Sequence, residues 1–105
     1  METVKIEYAF AAADLVKAAV INKTSFIKAL KLKVPNLTNP VTAHVACLDK
    51  DGDAIYTSAE KAENDTHVLT GLDIPADYDF QLQVTLSGAP GAGGGNVEVT
   101  AYIKP

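Results

Sequence analysis

The sequence predicts an all-β fold, a single β-sandwich of about seven strands spanning residues 1–105. Three observations carry that expectation. Apolar and polar residues alternate with period two in five separate segments, turn-forming residues separate those segments, and the chain is of one-domain length. At 105 residues, with 48% hydrophobic composition, folding buries roughly two thirds of the unfolded chain's surface, enough for a core without disulfides or metals.

The segments follow in order. In TVKIEYAF, Val4, Ile6, Tyr8 and Phe10 share one face. In FIKALKLKV, Phe26, Leu30, Leu32 and Val34 share a face and Lys31 and Lys33 point the other way. In VTAHVACL, Val41, Ala43, Val45 and Cys47 alternate with Thr42, His44, Ala46 and Leu48. In FQLQVTL, Phe80, Leu82, Val84 and Leu86 form the apolar face, and in NVEVTAYI it is Val97, Val99, Ala101 and Ile103. AIYTS and THVLT add two short strands. The alanine-rich AAADLVKAAVI (11–21) has helical propensity, but Leu15, Val16, Val20 and Ile21 make too narrow a stripe for a buried helix. An irregular strand or a crossing between sheets is the expected form. GAPGAGGG (88–95) holds five of the seven glycines and joins two clear strands, so it reads as a long, mobile hairpin loop able to order against a neighbour. It precedes a strand and lacks a lysine, unlike a phosphate cradle.

DKDGDAIYTSAE (49–60) raises the question of calcium. Asp49, Asp51, Asp53 and Glu60 fall at positions 1, 3, 5 and 12 of an EF-hand-like spacing, but position 6 is Ala54 and the glycine stands at position 4. The flanks VACL and IYTS are strand-like. A hairpin accounts for every residue: aspartates bond nearby backbone and Gly52 supplies a positive φ. Cys47 sits on an apolar strand face and reads as a small buried hydrophobe. His44 points to the opposite face and His67 lies on another strand, so neither a Cys/His dyad nor a paired zinc spacing is present. Asp73, Asp77 and Asp79 cluster where a turn is expected. Asn22, Asn36 and Asn64 match the glycosylation acceptor pattern, a coincidence with turn chemistry in a chain whose start lacks an export signal. No catalytic, cofactor-binding or metal-binding residue is therefore assigned, and the expectation is a non-enzymatic protein without cofactor.

Net charge is −4, split into +3 over residues 1–48 and −7 over residues 49–105, and every cationic side chain is lysine. Without arginine, bidentate phosphate and guanine contacts are missing, which argues against nucleic acid as partner. No apolar run approaches the ~20 residues that span a bilayer, so no membrane partner is expected. The lone cysteine and the N-terminus METVKIEYAF favour synthesis in a reducing cytoplasm.

The run HVLTGLDIPADYDFQLQVTL (67–86) resembles the E–F region of a fibronectin type III domain, with Leu69, Leu72 and Tyr78 on the matching positions. The resemblance implies an Ig/fibronectin-III-like sandwich in which Tyr78 forms a tyrosine corner, its hydroxyl bonding backbone upstream. The chain has no tryptophan, which such domains place in an early strand. The C-terminal VTLSGAPGAGGGNVEVTAYI is similar to small virion proteins of tailed bacteriophages, several of which are Ig-like or fibronectin-like sandwiches of this size. That resemblance implies a virion structural protein, made in the host cytoplasm, that decorates or stabilises the capsid. Its partners would be capsid or other virion subunits, or copies of itself. The alternative is a carbohydrate or cell-surface binding module, for which Tyr56 and Tyr102 are the aromatic candidates for exposure.

Overall fold

The computed structural model describes residues 2–22, 24–77 and 79–104. They form ten strands: β1 (Glu2–Phe10), β2 (Val16–Ile21), β3 (Ser25–Val34), β4 (Thr42–Leu48), β5 (Ala54–Thr57), β6 (Lys61–Ala62), β7 (Asp65–Leu69), β8 (Ile74–Ala76), β9 (Phe80–Leu86) and β10 (Gly95–Lys104). All pairings are antiparallel. Sheet I runs β1-β10-β3-β7, with β8 also on β3; sheet II runs β2-β9-β4-β5, with β6 also on β4. The two sheets stack as a sandwich, the all-β architecture that the alternation predicts.

The strand order is that of a jelly roll: β1 to β4 alternate between the sheets, β4 to β6 stay in sheet II, β7 and β8 lie in sheet I, and β9 and β10 return to sheets II and I. An immunoglobulin-type sandwich instead places its first two strands side by side in one sheet. Here β1 and β2 lie in different sheets, and the last strand, β10, sits between the first and third. Tyr78, the expected corner residue, lies outside the described residues; Leu69 and Leu72 pack against the core.

The period-two reading places most of the core. Tyr8 and Phe10, Leu30 to Val34, Val97 to Ile103, Val45 and Cys47, and Phe80 to Leu86 bury the faces anticipated for them. Tyr8 does more than fill space. Its hydroxyl donates to the carbonyl of Leu82 at 2.7 Å, from sheet I across to sheet II. Burial holds that phenol far above the usual tyrosine range.

One face assignment is corrected. Phe26 does not join Leu30, Leu32 and Val34; it is 46% exposed, and Ile27 is fully buried instead. The register explains why. Tyr102 of β10 lies opposite Ala29, yet Ile103 lies opposite Ile27, so Lys28 is an extra residue in β3. A bulge of this kind reverses which side chains face inward beyond it.

The segment after Phe10 turns through residues 11–15 and then becomes a strand, β2, in keeping with the irregular strand or crossing expected there. The glycine-rich loop departs from expectation. It is not a hairpin, because β9 belongs to sheet II and β10 to sheet I. It docks onto its own chain: Thr38 Oγ1 donates to Ala92 O, Asn39 Nδ2 to Ala89 O and Asn39 N to Pro90 O, at 2.8–3.0 Å. Gly94 adopts φ +58°, and a Cβ there would come within 1.9 Å of Phe10 O. Only glycine fits that approach.

Candidate interaction surfaces

The acidic stretch at 49–60 is a β4–β5 hairpin, as its turn chemistry predicts. Asp49 closes it. Its carboxylate accepts the backbone N–H groups of Asp51 and Asp53 at 3.0 and 2.9 Å, while Gly52 takes φ +85°. Glu60, the twelfth residue, is held elsewhere. Its Oε1 accepts from Thr42 Oγ1 at 2.7 Å and its Oε2 pairs with His44 Nδ1. The Thr42 hydrogen bond, with His44 adding to it, holds the Glu60 carboxyl below the usual range. Asp49, Asp51 and Asp77 border one shallow depression together with Lys50, Pro75 and Phe80. Among the described residues no group of three or more His, Cys, Asp or Glu side chains is arranged to hold a metal ion.

The remaining singled-out residues are separated. Cys47 is fully buried, and burial pushes its thiol up to about 12. His67 Nε2 lies 2.9 Å from the carbonyl of Ala62, far in role from His44 at Glu60. Asp73 pairs with Lys28 at 2.6 Å, Asp77 O accepts the Phe80 N–H, and Asp79 takes φ +60° with its N–H donated to Asn22 Oδ1. Asp77 and Asp79 serve the turn before β9, whereas Asp73 is tied to β3 by its ion pair. Tyr56 packs against the core, so of the two tyrosines considered for exposure only Tyr102 lies on an outer face.

What the fold does assemble is two outer sheet faces of opposite character. On sheet I the outward positions of β1, β10 and β3 bring Glu7 opposite Glu98, and Glu98 opposite Lys33. Lys5 reaches Glu98 at 3.3 Å and Glu7 at 3.9 Å. The hydrogen bond from Lys5, with the further positive charge of Lys33, lowers the Glu98 carboxyl's pKa. Such exposed pairs contribute little to stability; they keep the face hydrated.

Sheet II carries no lysine, aspartate or glutamate on the outward positions of β2, β9 and β4, where His44 is the titratable side chain. Val16 lies opposite Thr85, Ala18 opposite Gln83 and Val20 opposite Gln81; on the far side, Thr85, Gln83 and Gln81 face His44, Ala46 and Leu48. Glu60 touches this face only at its rim, through His44 and Thr42. Val16 and Val20 are about half exposed at the sheet edge, with Leu15 beside them. The sequence places Gln81, Gln83 and Thr85 on the polar face of one strand; that β2 and β4 extend this face on either side depends on which strands pair, which alternation does not give.

No protein-family model and no curated protein sequence matches the chain. Solved structures do. A chain of the cyanophage Pam1 capsid asymmetric unit matches at TM-score 0.57 and 19% identity, with 98% of this chain aligned to 82% of that one. The C-terminal domain of EclA, a sugar-binding protein, matches at TM-score 0.47 and 16% identity, over 99% of this chain and 79% of that one. A chain of Bacillus endospore appendages, described as disulfide-linked pili, matches at TM-score 0.39 and 18% identity, over 98% and 87%. At 19% identity the likeness to the capsid chain is one of fold alone.

Proposed function

We propose that this chain is a non-enzymatic structural protein of a phage virion, a subunit that decorates or stabilises the capsid. The observation that carries the reading is the outer face of sheet II, whose central strands carry no lysine, aspartate or glutamate. A face of Val, Ala, Gln, Thr, His44 and Leu48 costs less to dehydrate than one of lysines and glutamates, and its Gln and Thr side chains can hydrogen-bond a neighbour, while the charged strands of sheet I keep the opposite side hydrated. The sandwich beneath supplies a rigid support, and the fold shared with a chain of a phage capsid supports the setting by analogy. The mechanism is passive: area is buried against neighbouring subunits and held there. Localisation to the virion and other virion proteins as partners follow from this reading. The test is mass spectrometry of gradient-purified particles from the culture that produces the protein. The chain is expected at a fixed ratio to the major capsid subunit; its confinement to the particle-free fractions would sink the reading.

A second reading, a carbohydrate-binding module, draws on one observation. The bulge at Lys28 turns the Phe26 ring outward beside the Lys28–Asp73 pair, with the Lys28 ammonium 5.7 Å from the ring centroid. An exposed ring next to a fixed carboxylate is chemistry that sugars use. Reproducible glycan-array binding that disappears with Phe26→Ala would favour this reading over the first.

A further inference from the structure

We infer that β2 is a self-pairing edge: two copies of this chain join β2 to β2, antiparallel, about a two-fold axis through Ala18, and so extend sheet II across both molecules. The inference goes beyond the virion reading and does not depend on it.

The backbone sets the geometry. Leu86 N donates to Leu15 O at 2.8 Å, so residues 15 and 86 are a hydrogen-bonded pair. Antiparallel ladders alternate, so with the observed register Lys17, Ala19 and Ile21 also turn their N–H and C=O toward β9. Val16, Ala18 and Val20 therefore turn theirs to the open edge. Among the described residues, no hydrogen bond outside the β2–β9 ladder reaches these three. An open row of donors and acceptors is a template for another strand.

The side chains then choose the partner and the register. Side-chain alternation requires Val16, Ala18 and Val20 to stay on the outer face of the joined sheet. Centring the pair on Ala18 sets Ala18 against Ala18 and Val16 against Val20 of the second copy. All three open residues gain hydrogen bonds, and the outer seam is apolar. Lys17, on the other face, meets Ala19 and keeps its ion pair with Asp14 at 3.3 Å. A pair centred on Lys17 would oppose two lysines directly, so Lys17 disfavours that register. A second copy fits because the edge is complementary to itself under this rotation. The Val16 and Val20 side chains, 48% and 51% exposed, would be covered.

The test is sedimentation velocity on the full chain from about 10 µM to about 0.5 mM, a range chosen for the small area a six-residue strand buries. The expected result is a rise from 11.0 kDa toward twice that mass, with hydrogen exchange at the Val16, Ala18 and Val20 amides slowing as concentration rises. Ala18→Pro removes a donor that the monomer does not use, and Pro is tolerated at such an edge position. It should weaken the dimer at least about 30-fold, from the loss of one hydrogen bond per copy. Val20→Lys, which leaves the backbone intact, should do the same if Ala18→Pro fails to fold. A monomer at every concentration, or a dimer that Val20→Lys leaves unchanged, overturns the inference. A dimer present in a protein absent from particles would sink the virion reading and leave this one standing.

Discussion

The two sheets of this sandwich bury equivalent inner faces and present very different outer ones. Sheet I shows water a lattice of lysine and glutamate, with Lys5, Glu7, Glu98 and Lys33 within reach of one another. Sheet II shows Gln83 between Ala18 and Ala46, with no charge on the central strand's outward positions. The fold does not demand this difference, since either face satisfies the backbone equally well. Charges across β1, β10 and β3 raise the cost of dehydrating that part of sheet I, where Phe26 and Val68 are also exposed, whereas the central strands of sheet II present fewer charges to desolvate. Under the reading proposed above, contact falls on the sheet II side of the molecule.

The largest expected effect tests the β3 bulge of sheet I. Ile27→Ala should destabilise the fold by about 2–5 kcal/mol in urea unfolding, because Ile27 is fully buried. Phe26→Ala should cost under about 1 kcal/mol, because the bulge has placed that ring outside. Equal costs would mean that the strand runs straight through Lys28. Next comes the tie between the sheets. Tyr8→Phe removes the hydroxyl that donates to Leu82 O and should lower stability by about 1 kcal/mol, read by thermal unfolding. Surface changes should barely move folding on either side: Gln83→Lys on sheet II and Lys31→Gln on sheet I should each stay within about 0.5 kcal/mol of the parent. A large cost for Gln83→Lys would show that sheet II needs its neutrality to fold.

The smallest effect lies at the rim of sheet II. Glu60 titrates below its ordinary range because Thr42 and His44 bond its carboxylate, so its contribution to stability is present above the unfolded-state pKa and lost as pH falls through the folded one. Thr42→Val should move the Glu60 titration upward, toward the ordinary glutamate value near 4.3, as followed by NMR. An unchanged titration would remove Thr42 as the cause.

Much of the fold was legible from alternation alone. Inward faces of β1, β4, β9 and β10 follow directly from residues such as Tyr8, Val45, Leu82 and Val99. The hairpin at Asp49 was legible because its aspartates and Gly52 have local reasons to be there. Phe26 was misplaced because period two is counted along a strand, and an inserted residue at Lys28 resets the count without altering the composition. The β9–β10 connection was misread for a related reason: alternation says which side chains face inward, not which strand lies alongside. Only long-range packing, such as Gly94 against the Phe10 carbonyl, carries the chain from one sheet to the other. The polar face of Gln81, Gln83 and Thr85 was legible strand by strand, but the wider surface exists only once β2, β9 and β4 lie side by side.

The central claim, that contact is confined to sheet II, is tested most directly by comparing Gln83→Lys with Lys31→Glu in the recovery of the folded protein with gradient-purified particles. A charge at the centre of sheet II should reduce recovery at least about tenfold, while charge reversal on sheet I should leave it unchanged. Loss of recovery with Lys31→Glu and not with Gln83→Lys would contradict the account.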